Sequence, residues 1–306
     1  AVFDNSDSFT ILSHQRITLT APPTGASLIQ GDSYNITWTW DGIATTSNLK
    51  LQLSIDGGTT WPEVPPYLIG DQLPNSPASF AWVIPSTIDT TTAKIKIYDT
   101  TDALVTFTTG NFTITIPQIN VTAPAAGNQW FATGAYNITW ATVGSVSNSL
   151  KIEYRLSSDG GSTWGSWQVI TAATTPAEAA AKSKAWVVAD SAGSTAQVRI
   201  TDNNRPAVTA TSGNFSIIAP TVTITAPTGS ETGPNAWVVG TQHSISWTST
   251  GGNKGAISSL RLQYTTDGTT FTTITTITDP AVLQVDAGSY TWTTPDAVSA
   301  TVRVKI

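Results

Sequence analysis

The 306-residue chain contains no cysteine, which excludes a disulfide framework, thiolate metal sites and thiol nucleophiles, and leaves stability to hydrophobic cores alone. It contains no methionine either; with no initiator residue it reads as a processed or excerpted chain, any secretion signal lying upstream of Ala1. Charge is scarce. Asp, Glu, Lys and Arg make up 11% of the residues, and the 14 Lys and Arg are scattered, so there is no basic stripe of the kind nucleic acid requires. No apolar run approaches the ~18 residues that cross a bilayer. Glutamate is limited to Glu63, Glu153, Glu178 and Glu231, each in a different local setting, and the histidines His14 and His243 lie in unrelated contexts. A glycosidase needs paired carboxylates and an α/β-hydrolase needs a Gly-x-Ser-x-Gly elbow. Neither pattern is written here, so the chain reads as non-catalytic, without cofactor or metal. The acidic stretch Asp4-Asn-Ser-Asp7 lacks the ligand spacing of a calcium loop and reads as a solvated turn.

What the chain has instead is repetition. Tyr34-Asn-Ile-Thr-Trp38 returns as Tyr136-Asn-Ile-Thr-Trp140 and as His243-Ser-Ile-Ser-Trp247, at steps of 140 − 38 = 102 and 247 − 140 = 107 residues. Asp56-Gly-Gly-Thr-Thr-Trp61, Asp159-Gly-Gly-Ser-Thr-Trp164 and Asp267-Gly-Thr-Thr-Phe271 keep the same step, as do Trp82, Trp186 and Trp292. Each copy opens on a short apolar run ending in Ala-Pro, at Pro22, Pro124 and Pro227. A period of one domain implies three tandem domains.

Within each copy apolar residues alternate with Thr, Ser, Asn or Lys, as in Lys50-Leu-Gln-Leu-Ser54 and Lys94-Ile-Lys-Ile97. That period of two predicts strands with one buried face. About seven such runs per copy, separated by Gly, Pro, Asn and Asp turns, predict antiparallel sandwiches of about 100 residues. The expected domains are 17–116, 117–218 and an incomplete 219–306, with 1–16 as the closing strand of a preceding domain plus a connector. The one helical signal is the Ala-rich insertion Pro176-Ala-Glu-Ala-Ala-Ala-Lys182, which predicts a turn or two within a loop.

The order Ala-Pro, Tyr-x-Ile-x-Trp, Asp-Gly-Gly-x-x-Trp, x-Trp-x-x-Pro, Ile-x-Ile, Asn-Phe-x-Ile resembles the immunoglobulin-like or fibronectin-III-like domain of the Ser/Thr-rich cell-surface family first associated with fungal cell-wall glucan assembly. Similar domains stand in tandem in large prokaryotic surface proteins. The resemblance covers all three copies and implies an all-β fold and an extracellular or cell-surface setting; it implies no activity. Copy three departs from it, with His243 for Tyr, Phe271 for Trp and no final Asn-Phe-x-Ile.

That final phrase stands at the other end of the chain. Copies one and two close on TTGNFTITI (108–116) and SGNFSII (212–218), and the chain opens with AVFDNSDSFTI (1–11). Counting by text aligns Val302-Arg-Val-Lys-Ile306 with Ile95 to Asp99 and with Val198 to Asp202, so copy three stops just before its closing strand. The expectation is that Val2 or Phe3, together with Phe9 and Ile11, of one unit close the third domain of another against Val302, Val304 and Ile306. Three large apolar side chains at about 1.5–3 kcal/mol each amount to roughly 5–9 kcal/mol, comparable with the whole stability of a domain. Two routes lead there, covalent continuity in a longer repetitive protein or strand donation between separate subunits; an arbitrarily cut fragment is the plain alternative.

The remaining signals concern surface and turns. Ser54, Asp56, Gly58 and Trp61, and Ser157, Asp159, Gly161 and Trp164, match the Asp-box pattern Ser-x-Asp-x-Gly-x-Thr-Trp, a fold-stabilising turn. At 159 − 56 = 103 residues apart they do not fit a propeller. Trp38, Trp140 and Trp247 share the inward parity of Ile36, Ile138 and Ile245, and with Trp82, Trp186 and Trp292 they are expected in the core. Trp130 and Trp237 fall in the turn after Ala-Pro, where the readings are a seal between neighbouring domains or a platform for glycans. Asn35, Asn111, Asn120, Asn137 and Asn214 head N-glycosylation sequons whose apolar neighbours turn each Asn to solvent. The linkers lack a Gly/Ser hinge, so tandem sandwiches should stack stiffly, roughly 100 Å per unit. Together these point to the repeat unit of an extracellular filament or stalk whose partners are copies of itself, the alternative being an adhesin or glycan-binding module.

Overall fold

The computed structural model describes residues 3–4, 7–8, 16–41, 48–74 and 76–306. They form three antiparallel β-sandwiches of immunoglobulin/fibronectin-III-like type, each built from two sheets. The chain gathers into two compact units, Ala1–Gln118 with Thr142–Val146, and Ile119–Ala141 with Ser147–Ile306. The second unit holds the second and third sandwiches.

In the first sandwich, a three-stranded sheet of Arg16–Ala21, Ser33–Asp41 and Ser79–Val83 is paired with a larger sheet in the order Ser27–Ile29, Phe112–Thr115, Thr90–Asp99, Leu49–Ser54, Leu68–Leu73, with Thr106–Thr108 added beside Thr90–Asp99. The alternation does what it predicts. Ile36 and Trp38 point inward from one sheet, Leu49, Leu51, Leu53, Ile95 and Ile97 from the other, all buried in a common core. The second sandwich repeats this order strand for strand, from Gln118–Ala123 to Phe215–Ile218. Its inserted helix is Pro176–Ala181: Thr175 caps it, Glu178 closes the capping box, and Lys184 pairs with Glu178 at 2.7 Å.

A short segment completes each of these sandwiches. Ser27–Ile29 lies parallel to the closing strand Phe112–Thr115, and Gln129–Phe131 lies parallel to Phe215–Ile218. The closing strand in turn pairs antiparallel with its hairpin partner, Phe112 opposite Ala93 and Phe215 opposite Ala196. Phe112, Ile114, Phe215 and Ile217 are buried as deeply as any side chain in the molecule.

The third sandwich has the sheet Thr221–Ala226, Gln242–Thr250, Ala287–Thr293, and opposite it only Thr272–Ile277, Leu260–Thr265 and Arg303–Lys305. Its core of Ile245, Trp247, Leu260, Leu262 and Trp292 is formed. Among the described residues, neither the short parallel segment nor the closing strand has a counterpart there. Residues 236–239, at the place of the short segment, follow a 3-10 turn, Gly233–Asn235, and join no sheet.

Strand register corrects one count made from text. Tyr264 faces Val304 as Leu53 faces Ile95 and Tyr154 faces Val198. Val302 therefore holds the place of Ala93 and Ala196, two residues earlier than the alignment by Asp implies. Parity is unchanged, so Val302, Val304 and Ile306 keep one face, but Ile306 matches Ile97 and not Asp99.

Candidate functional site

Where the first two sandwiches hold their closing strand, the third has an open groove of about 980 Å³. Trp237, Tyr264, Trp292, Val302 and Val304 line it on one side, with Pro227, Thr232 and Val298 around its rim. The lining is built by the same residues that make the core elsewhere. In the second sandwich Trp130 is buried, stacked on Tyr136 at 4.6 Å between centroids and packed against Phe215 at 5.2 Å and Trp186 at 6.0 Å. In the third, Trp237 stacks on His243 at 4.4 Å and meets Trp292 edge-on at 6.0 Å, and Tyr264 packs on Trp292 at 5.3 Å. The place of Phe215 is taken by the groove.

His243 thus replaces Tyr136 as the stacking partner, its Nε2 2.8 Å from Thr241 Oγ1. Trp130 is neither of the things its position in the sequence implied: it is a core residue, because the segment carrying it is a strand under the closing strand rather than a solvent-facing turn. The residue beside it, Phe131, turns the other way and meets the third sandwich. A Cβ placed on Gly251 would fall 2.8 Å from its ring.

Of the donor-segment residues, Phe3 is 87% exposed. Val2, Phe9 and Ile11 lie outside the described residues, as does His14. On the acceptor side Val302 is exposed, whereas Val304 and Ile306 pack partly onto the third core. Among the described residues the strand Arg303–Lys305 pairs along one edge only, with Leu260–Thr265, Lys305 opposite Gln263 and Arg303 opposite Thr265.

The turns match their motif. Ser54 Oγ donates to Asp56 Oδ1 at 2.6 Å, the Thr59 and Thr60 amides donate to the same oxygen at 3.0 Å, and Trp61 Nε1 donates to Gly58 O at 3.0 Å. Ser157, Asp159 and Thr163 repeat the arrangement. Thr265 and Asp267 form it a third time. The donated hydrogen bonds hold all three carboxyls well below the usual carboxylate range: those from Ser54 and Thr60 at Asp56, from Ser157 and Thr163 at Asp159, and from the Thr270 and Thr269 amides at Asp267. Gly58 and Gly161 sit at φ of 94° and 97°, open to glycine without strain.

Each box aromatic carries a cation that the motif does not contain. Lys96 lies 4.8 Å over Trp61, Arg155 lies 4.5 Å over Trp164 and 4.6 Å over Trp167, Arg199 lies 4.3 Å over Trp167, and Lys305 lies 5.2 Å over Phe271. Arg199 also donates to the buried Glu153 at 2.7 Å, and Lys151 lies 2.9 Å from its other oxygen. Burial pushes the Glu153 carboxyl up, but these cations outweigh it and leave it lowered. The four glutamates have four separate structural jobs: Glu63 beside Lys50, Glu153 under Arg199, Glu178 in the helix cap, and Glu231 accepting the Thr228 and Gly229 amides.

All five sequon asparagines are exposed. Asn35 and Asn137 occupy equivalent sites on the smaller sheets, Asn111 and Asn214 equivalent sites before the closing strands, where Asn214 Oδ1 also accepts from Gln197. Among the described residues no three acidic or imidazole groups gather as a metal site, and no helix is long and apolar enough to cross a membrane.

No family model matches the chain, and no curated protein matches it. Solved structures do. The I9-I11 tandem from titin is 6% identical, covering 94% of this chain and 97% of its own, with a TM-score of 0.39. The fibronectin(III)-like modules of Clostridium thermocellum CbhA are 14% identical over 66% of this chain and 94% of theirs, TM-score 0.23. The FN1-FN3 domains of chicken CNTN1 are 12% identical over 90% of each chain, TM-score 0.25. All three TM-scores lie below 0.5, so the fold stands on the sheet order and register described above and not on these likenesses.

Proposed function

We propose that the chain is a structural repeat unit of an extracellular filament or stalk, joined head to tail by a closing strand that fills the groove of the third sandwich. The single observation that carries this reading is the groove itself, lying where Phe112 and Ile114, or Phe215 and Ile217, complete the other two cores. By register the incoming phenylalanine stands opposite Val302, as Phe112 stands opposite Ala93 and Phe215 opposite Ala196. An unfilled slot leaves Val302 exposed and Trp237 and Val304 only half-buried beside the edge of the strand Arg303–Lys305. Such an edge invites another strand. Burying one Phe and one Ile there contributes about 3–6 kcal/mol.

Residues 1–11 have the pattern the groove requires, with Phe9-Thr-Ile11 in the place of Phe112-Thr-Ile114. The segment comes either from the polypeptide that continues a longer chain or from a separate copy. Exposed sequon asparagines and Thr-lined outer faces such as the Thr20–Thr37 and Thr122–Thr139 pairs suit a surface setting in which sugars coat the outer faces.

A fluorescein-labelled peptide of residues 1–11 titrated with the chain tests this. The expected result is saturable binding to one site, lost when Val302 and Val304 are both replaced by Asp. Failure of the peptide to bind the folded chain at millimolar concentration overturns it.

A further inference from the structure

We infer that the groove of the third sandwich holds its partner along two edges, Arg303–Lys305 on one side and residues 235–239 on the other. It therefore takes a lone extended segment and not the edge strand of a folded sheet. This deepens the head-to-tail reading above and rests on it. In the first two sandwiches the closing strand is bonded on both sides. Phe112 and Phe215 stand opposite Ala93 and Ala196 of the antiparallel neighbour. The next residues turn the other way, the Thr113 amide donating to Ala26 O and the Ser216 amide to Asn128 O, each at 2.8 Å. Thr115 O and Ile218 O then accept from the Gln30 and Ala132 amides, each at 2.9 Å.

The third sandwich keeps the groups for both edges. Eight residues before Tyr34, Tyr136 and His243 stand Ala26, Asn128 and Asn235; four residues before them stand Gln30, Ala132 and Val239. Among the described residues the Asn235 carbonyl and the Val239 amide have no partner. Val239 is 42% exposed where Gln30 and Ala132 are each 3% exposed. The turns on either side are already made. The Asn235 amide donates to Thr232 O at 3.1 Å, as Ala26 does to Pro23 and Asn128 to Ala125. The Thr241 amide donates to Val238 O at 3.1 Å, as Asp32 does to Ile29 and Gly134 to Phe131. The Gly240 amide donates to Thr294 O at 2.9 Å, as Gly31 does to Ile84 and Thr133 to Val188. Between these turns Ala236 is extended, at φ −63° and ψ 143°. A segment pinned at both ends loses little freedom when it pairs. Ala236, Trp237 and Val239 line the same groove as Val302, Arg303 and Val304, and what is missing is the strand between them.

An extended chain offers its peptide groups alternately to its two sides, and an edge strand has one of those rows already bonded within its own sheet. The groove calls for both rows. Its occupant is thus a segment with no sheet of its own, apolar at alternate positions as in Phe112-Thr-Ile114 and Phe215-Ser-Ile217.

A peptide of residues 109–116, carrying the first closing strand, titrated with the full chain, tests the second edge. It should bind saturably and slow hydrogen exchange of the Val239 amide at least tenfold, while the Gly240 and Thr294 amides, already paired, keep their rates. N-methylation of Thr113 in the peptide removes the hydrogen meant for Asn235 O and should weaken binding at least tenfold. A Val239 amide that keeps its free rate in the bound chain, or an N-methylated peptide that binds as tightly as the plain one, overturns the two-edged grip and leaves the head-to-tail reading standing. Absence of binding by this peptide and by that of residues 1–11 removes both.

Discussion

Trp130 and Phe215 pack with ring centroids 5.2 Å apart and planes tilted by 56°, and this pair is the hinge between a finished sandwich and an unfinished one. Trp237 occupies the place of Trp130, stacks on His243 where Trp130 stacks on Tyr136, meets Trp292 where Trp130 meets Trp186, and lacks the phenylalanine. The same substitution should therefore have two different effects. Trp130→Ala removes a core residue and should cost the second sandwich about 3–5 kcal/mol, read from urea unfolding. Trp237→Ala should cost the isolated chain much less and instead weaken the residue 1–11 peptide tenfold or more, read by anisotropy.

Within the donor segment, Phe9 and Phe3 are distinguishable. The Phe-x-Ile pattern assigns the buried slot to Phe9. Losing a buried phenylalanine forfeits about 1.5–3 kcal/mol, equivalent to roughly ten- to hundredfold in affinity. Peptides carrying Phe9→Ala should show that loss, and Phe3→Ala peptides a smaller one. Equal losses would place both rings in the groove.

The three Asp-box turns predict an acid limb of stability. Their carboxyls are held low in the folded chain and return to about 3.9 when unfolded. The sign follows from linkage: the stabilisation is fully present above pH ~4 and is lost progressively as pH falls below it toward the folded values. The triple variant Asp56→Asn, Asp159→Asn, Asp267→Asn should be less stable than wild type at pH 7 and should lose less on acidification from pH 5 to pH 2. Parallel urea midpoints across that range in both proteins would count against these turns as the source.

Glu153 is buried beneath Arg199 and Lys151, so removing one cation leaves a carboxylate short of partners. Arg199→Ala should destabilise the second sandwich by about 2–3 kcal/mol, and Glu153→Gln paired with it should recover part of that loss. A thermal melt of the single and double variants reads the difference.

Much of this was open to a reader of the text. Period two placed Ile36, Trp38, Trp140 and Trp247 inside and turned the five sequon asparagines outward, since a sheet offers each residue only two directions. The Asp-box hydrogen bonds are local, within four residues, and so were written in the motif. Trp130 was not legible, because its strand is three residues long, too short for any periodicity, and is defined by a partner 87 residues away (217 − 130). The register of Val302 was not legible either: text alignment leaned on Asp99 and Asp202, whereas pairing is counted from Leu53 and Tyr264 across the sheet. Nor were the rings over Arg155 and Arg199 foreseeable, as they meet only through neighbouring strands.

Backbone exchange at Arg303–Lys305 tests the central claim most directly. These residues pair along one edge at present, and an arriving strand protects the other. With saturating residue 1–11 peptide, exchange of amides in residues 301–306 should slow at least tenfold, while the first two sandwiches, already closed, stay unchanged. Binding of the peptide with no protection anywhere in that segment would contradict the account.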